Sequence, residues 1–458
     1  ACIGSAGEKG TLFAAIMSGR RSASRGGVGT VMGAKNLKAI AVRGTEKIDV
    51  ADRSKLQTIT RDLVSSASKT DLFKAFSHLG TAGMTALMHE MGMHPVKNFQ
   101  KGQMPDFTGL ESDKLEELLV KNEGCFGCFI QCGSILQVKK GRYKGNPVCG
   151  PEYETMWAFG ANLYSTDLGF VTAVNKLCDD YGLDTITAGS SISFAMELFE
   201  KGILTTGDLD GSELTWGNQQ EAYKLLLKII KREGMGDLLA LGTRKAAETI
   251  GKNAEHCAMH VKGLEIPAYE PRGAKAHGLN LATSTIGASH MTGYCGQELF
   301  GIPEQVDRFS TEGKGALTKQ NQDNAAAYDS LLICGFPACF NWMIPHHYAE
   351  FLSAATGIEE FADEDYMLKS GERIFNIEKA FNLREGCERK DDYLPQRFID
   401  DPLPDGPSKG QVFEMDLLLD DYYKARGWDP ESGFPTEKKL LDLGLKAEAE
   451  TLKQVVRT

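Results

Sequence analysis

Three cysteines stand within eight residues of the stretch "NEGCFGCFIQCGS" (122–134): Cys125, Cys128 and Cys132. Thiolates at Cys-x2-Cys-x3-Cys spacing can hold three corners of an iron–sulfur cubane from one loop. Gly124, Gly127 and Gly133 let the backbone wrap close to a metal. Zinc is a second reading, but its sites often pair two Cys-x2-Cys knuckles, and the chain has no second knuckle. Three buried structural cysteines are the bland alternative. A fourth ligand must come from far along the chain. Cys149, Cys178, Cys257, Cys295, Cys334, Cys339 and Cys387 are the candidates, and spacing does not choose among them.

A second candidate is the glycine-rich loop "GRRSASRGGVGTVMGAKN" (19–36), which holds three arginines. Arginine forks with adjoining backbone N–H groups suit phosphate; the alternative is an exposed basic turn.

The elements that must position these groups read mainly helical. Helical periodicity dominates from about 51 to 255. It is clear at 168–182, 190–202, 221–234 and 237–251, where Gly182, Gly202, Gly234 and Gly251 mark the stops. The last 200 residues again read helical, with loops near 387–415. "LKAIAVRG" (37–44) reads as a strand, and "GTLFAAIMSG" (10–19) as a strand or a short helix. The composition shifts near 45–55, where the glycine-rich piece gives way to helices.

With 458 residues, 42% hydrophobic and 25% charged, the chain is globular in composition and long enough for two or three domains. A net charge of −11 argues against nucleic acid as the main partner. No apolar run reaches the length of a membrane span, so no membrane partner is expected. The N-terminus is not a signal peptide. The odd, scattered set of eleven cysteines points to a reducing compartment, the cytoplasm.

Six stretches together resemble one family, the tungsten-containing aldehyde ferredoxin oxidoreductases. They are "RSASRGGVGTVMGAKNLKAIAVRG" (21–44), the cysteine run, "GPEYETMWAFGAN" (150–162), "LCDDYGLDTITAG" (177–189), "ATSTIGASHMTGY" (282–294) and "FNLREGCERKDDYLPQRF" (381–398). They occur in the family's order over nearly the whole chain.

The resemblance implies a mainly α fold. The remnant of an N-terminal α/β pterin-binding sheet domain (1–50) would precede two largely helical domains, 51–255 and 256–458. It implies a tungsten or molybdenum ion between two pterin dithiolenes, a nearby [4Fe–4S] cluster, and Mg as a further candidate ion. The family's pterin motif, Asp-x-x-Gly-Leu-Asp or Cys, is matched in full by Asp179 to Asp184, with Leu183. The second copy runs from Asp329 to Cys334 and has Leu332-Ile333 in place of Gly-Leu, with Gly335 next. That motif ends in the family's fourth cluster ligand, so the resemblance selects Cys334.

The resemblance further assigns Arg21, Ser22, Ser24 and Arg25 to pterin phosphate. It assigns Glu154 and His290 to catalysis, with Glu152 as the competitor to Glu154 on an extended "EYE" segment. Cys149, just before "GPEYET", is a candidate tungsten ligand, as in the aryl-CoA reductase branch. Four departures stand out: an incomplete first domain, Ile286 and Thr292 where the family often has basic residues, the altered second motif, and Cys149. The implied activity is oxidation of an aldehyde to a carboxylic acid, with electrons passing to ferredoxin or another iron–sulfur subunit. The alternatives are an aryl-CoA-type reductase and a non-catalytic electron-transfer subunit. A homodimer or hetero-oligomer is expected.

Overall fold

Short strands open the chain. In the computed structural model, which describes residues 1–455, β1 (Cys2–Ile3), β2 (Ile16–Ser18) and β3 (Arg21–Ala23) form an antiparallel sheet in that order. The expected strand at 37–44 does not form. Its one β contact is a bridge between Ala39 and Cys2, because β1 is too short to pair with more of it. The run from 10 to 19 supplies only β2.

The rest is helical, with two further small sheets. The helix Leu168–Tyr181 starts at Asp167, whose carboxylate accepts from Phe170 N–H, and stops at Gly182 with φ 71°. Asp184 then caps the helix Thr185–Glu200 by accepting from Ile186 N–H. Every residue from Ile186 to Leu198 of that helix is buried. A helix covered all round lies inside a core rather than on its rim. The helix Gln219–Lys231 instead buries one face, through Leu225, Leu226, Ile229 and Ile230. The single helix expected over 237–251 is two, Met235–Leu239 and Gly242–Ile250. The break comes at Gly242, where φ is +79° and the backbone turns to let Thr243 donate to Glu265.

The largest hydrophobic core draws on all three sequence segments, from Ala6 and Phe13 through Trp157 and Phe194 to Phe398 and Tyr422. A smaller aromatic core joins the helix Asp71–Leu79 to the cysteine loop and to the helix Gly335–Cys339. Phe76 meets Phe336 and Phe340 edge-on at 5.0 and 4.8 Å, and Phe73 stacks on Phe129 at 5.6 Å. Among the described residues no helix is long and apolar enough to cross a membrane.

Candidate redox and catalytic site

Cys125, Cys128 and Cys132 lie on the loop between β4 (Leu119–Glu123) and β5 (Gly133–Leu136), which pair antiparallel with Glu123 opposite Gly133. Gly127 turns the loop with φ 67°. Gly80 makes room for it: a Cβ there would stand 2.1 Å from the Cys132 carbonyl oxygen. Cys334 arrives from more than 200 residues away, immediately ahead of the helix Gly335–Cys339, positioned by the small aromatic core.

The four thiols are close enough to act on one another's ionisation. Burial pushes Cys132 up to about 12, and the neighbouring Cys334 and Cys128 add to the rise. Burial also raises Cys334, while the Phe336 backbone N–H donating to its sulfur works against this. Arg21 Nε donates to Cys125 Sγ at 3.2 Å. Among the described residues no three His, Cys, Asp or Glu side chains are arranged around a single metal ion. Thiols that receive N–H···S hydrogen bonds are the donor type an iron–sulfur cluster uses. All eleven cysteines are free.

Beside this loop lies a cavity of about 300 Å³. Its lining is mostly methionine and aromatic: Met84, Met88, Met291, Phe336, Phe340 and three tyrosines. Glu154 and His290 both line it, with Oε1 and Nε2 3.7 Å apart, too far for a hydrogen bond. Glu154 Oε2 accepts from Ala268 N–H at 2.9 Å, whereas Glu154 Oε1 and His290 Nδ1 are buried without a partner. Loss of water raises Glu154 to about 8, and burial lowers His290 to about 3. Near neutrality the pair is therefore a protonated carboxyl facing a neutral imidazole.

The segment holding Glu154 is not extended. Glu152 precedes, and Glu154 belongs to, the first turn of the helix Tyr153–Phe159. This places the two glutamates differently: Glu152 accepts from Arg21 at 3.0 Å and from Thr81 at 2.5 Å, while Glu154 points at His290.

The other expected residues fall into two groups. Arg25 pairs with Asp184 at 3.3 Å and donates to the Glu265 and Ala288 carbonyls; only its Nε is unpartnered. Asp184 is 2% exposed and also accepts from Thr187. These two side chains thus satisfy one another. Ser22 and Ser24 sit on and just after β3, Ser22 exposed. Asp179 and Asp329 both reach solvent, yet loss of water raises each to about 6, helped by Asp180 and by Glu378 respectively. Leu183 is buried and bridges Ala14, whereas Ile333 and Gly335 are half-buried around Cys334. Cys149, on β6 (Val148–Cys149), does not line the cavity shared by Glu154 and His290.

Sequence reasoning missed Tyr269 and Tyr294, whose hydroxyls meet at 2.9 Å on the cavity wall. It also missed Thr81, which holds Glu152 and donates no motif. Tyr294 closes the quoted "ATSTIGASHMTGY" stretch, so position in a matched motif was the available signal.

A mainly helical chain that brings a distant cysteine, Cys334, near a three-cysteine loop beside a buried carboxyl–imidazole cavity has the layout of a redox enzyme. Models of the aldehyde ferredoxin oxidoreductase family match it twice: the N-terminal domain over residues 1–44, and domains 2 and 3 over residues 57–445. The chain is 41% identical to a tungsten-containing aldehyde ferredoxin oxidoreductase of Pyrococcus furiosus, over 97% of this chain and 73% of that protein. The corresponding protein of Thermococcus kodakarensis is 39% identical over 96% and 72%. An aliphatic sulfonate oxidoreductase WOR-like subunit of Pyrococcus furiosus is 31% identical over 99% and 71%. Among solved structures, the active-site complex BamBC of benzoyl coenzyme A reductase with 1,5-dienoyl-CoA superposes with a TM-score of 0.80 at 26% identity. That match covers 99% of this chain and 75% of the other. The chain belongs to the aldehyde ferredoxin oxidoreductase family, and it is an oxidoreductase.

Proposed function

We propose that this protein oxidises an aldehyde to a carboxylic acid at a tungsten or molybdenum pterin. Its electrons would leave one at a time through a [4Fe–4S] cluster to ferredoxin or a related iron–sulfur subunit. The observation that carries the reading is the Glu154–His290 pair: two buried, unpartnered polar atoms facing one cavity beside four cysteines.

Cys125, Cys128, Cys132 and Cys334 would hold the cluster. Ser22 and Ser24 suit the phosphate end of the pterin, whereas Arg21 is already engaged by Glu152 and Cys125. Asp179 and Asp329 suit its amino groups as acceptors, with Leu183, Ile333 and Gly335 beside them; Mg is a further candidate ion. Arg25 and Asp184 fit less directly, since each already answers the other's charge. Cys149, the further candidate metal ligand, lies outside the cavity lining but close enough to Glu152 and Arg21 to feel their charge. When bound, the metal supplies Lewis acidity and accepts two electrons.

The chain's own residues do the rest. Neutral His290 can donate a hydrogen bond to the substrate's carbonyl oxygen from whichever ring nitrogen carries the proton. Glu154, once ionised, can take a proton from water or substrate. The methionine and aromatic lining keeps bulk water away. Arg21 links the cluster side, through Cys125 Sγ, to Glu152 on the cavity wall. Free thiols accord with a cytoplasmic, reducing setting.

Aldehyde-dependent viologen reduction, measured together with iron, tungsten and molybdenum content, tests the reading. Metal-replete protein inert toward every aldehyde would overturn it. A second reading, reduction of an aryl-CoA ester, draws on the structural likeness to the BamBC complex; the same assay run with aryl-CoA esters separates the two. Iron without tungsten or molybdenum would leave only an electron-transfer role.

A further inference from the structure

A second cavity, of about 140 Å³, adjoins the first. Tyr294 and Cys339 line both, so they form the wall between them. The linings differ in kind. Where the first is methionine and aromatic, five carboxamides face the second: Gln297, Gln320, Asn321, Asn324 and Asn341. Gln320 and Asn341 are exposed, so this cavity meets solvent at that end. Deeper in, Asn324 Oδ1 is buried with no hydrogen-bond partner. Carboxamides donate and accept without changing charge. A polar space of this size has room for several waters.

The wall also carries a donor. The Tyr269 and Tyr294 hydroxyls share one hydrogen bond at 2.9 Å. The pair has two hydrogens; one is spent in that contact and the other is left to donate. Burial holds both phenols protonated.

We propose that the amide-lined cavity stores the water that the reaction consumes and carries its protons out, with Tyr294 as the positioning residue at the wall. The inference rests on aldehyde oxidation being the activity. That reaction is RCHO + H2O → RCOOH + 2 H⁺ + 2 e⁻. The aldehyde C–H bond breaks and a C–O bond to the water oxygen forms. The electron pair would be accepted by the metal–pterin and iron–sulfur carrier of the proposed function. Each turnover thus takes in one water and releases two protons, and the apolar lining of the substrate cavity offers water few partners. The neighbouring cavity offers several and opens to solvent.

The test uses the cofactor-loaded enzyme. A crystal structure should show ordered waters bonded to Asn324. Asn324→Leu should empty that position and lower kcat roughly three- to tenfold, the worth of a bridging water, with KM for aldehyde unchanged. The solvent deuterium isotope effect on kcat should rise as water and proton movement become limiting. Asn324→Ser, which keeps a hydrogen-bonding group, should restore both. Tyr294→Phe keeps the ring and removes the hydroxyl; it should reproduce the loss and carries the test if Asn324→Leu fails to fold. A dry cavity in the wild-type crystal overturns the proposal, as does wild-type kcat and isotope effect in both Asn324→Leu and Tyr294→Phe. Loaded wild-type enzyme that oxidises no aldehyde would overturn the function instead, and the crystal reads the water content independently of that.

Discussion

The two Asp-to-Asp/Cys motifs, 179–184 and 329–334, share a backbone and differ in surroundings. In each, an aspartate ends a long helix, the fourth residue turns left-handed, and the sixth opens the next helix. Gly182 has φ 71° between the helices Leu168–Tyr181 and Thr185–Glu200. Leu332 has φ 57° between the helices Lys314–Ser330 and Gly335–Cys339. The loss of glycine from the second copy therefore leaves the turn intact, at a cost of about 1–2 kcal/mol for a leucine in that region. The surroundings set the division of labour. Asp184 is buried, clasps Arg25 and helps to hold the nearby Glu154 carboxyl protonated. Cys334 is exposed, joins the cysteine loop, and follows a leucine that is 94% exposed. Asp184 of the first motif acts electrostatically on Glu154, and Cys334 of the second acts on the thiols of the cysteine loop.

The largest expected break in this comparison comes from Cys334→Ala. It should abolish the cubane's EPR signal or convert it to a three-iron form, whereas the Glu154–His290 cavity should keep its shape. Unchanged iron content and spectrum would remove the second motif from the cluster.

On the other side, Glu154→Gln should lower kcat by about 10²–10⁴-fold at normal metal content. Glu152→Gln should cost far less, because Glu152 is engaged with Arg21 and Thr81. Near-normal turnover in Glu154→Gln would sink its assignment as the base. A base works only when ionised, and Glu154 ionises near 8. Activity should therefore climb with pH through about 8 and level off above it, and Glu154→Gln should lose that limb. Asp184 raises Glu154, so Asp184→Asn should move the limb to lower pH. A limb that stays put would separate the first motif from the base.

Stability provides a smaller contrast. Asp184→Ala removes a helix cap and strands Arg25, which should destabilise the fold by about 3 kcal/mol. Asp329→Ala, at a position open to solvent, should change stability by less than about 0.5 kcal/mol and show its effect in pterin content. Urea unfolding of the two variants checks the difference; equal losses would contradict the burial contrast. Leu332→Gly has the opposite sign: it relieves the left-handed leucine and should raise stability by about 1 kcal/mol. A loss in the same titration would mean that the leucine packs against something.

The sequence by itself determined the local pieces. Cys-x2-Cys-x3-Cys with its glycines is a loop signal, and the helix stops at Gly182 and Gly251 follow from backbone freedom that reads locally, whereas the helix expected to stop at Gly234 ends at Lys231 on a left-handed Arg232. The helical character of 168–250 follows from periodicity. The joining of distant pieces was not legible. Spacing alone left seven candidates for the fourth thiol; packing of Phe76 against Phe336 and Phe340 brings Cys334 to the loop. Neither the Arg25–Asp184 pair nor the meeting of Tyr269 with Tyr294 follows any period. The strand expected at 37–44 failed because a strand needs a partner, and β1 offers two residues. The choice between Glu152 and Glu154 fell to tertiary structure for the same reason. An extended "EYE" would have put both on one face, but the helix Tyr153–Phe159 turns them apart, sending Glu152 to Arg21 and Glu154 to His290. Local sequence sets which conformations a segment can take; contacts hundreds of residues away decide which one it keeps and what its side chains meet.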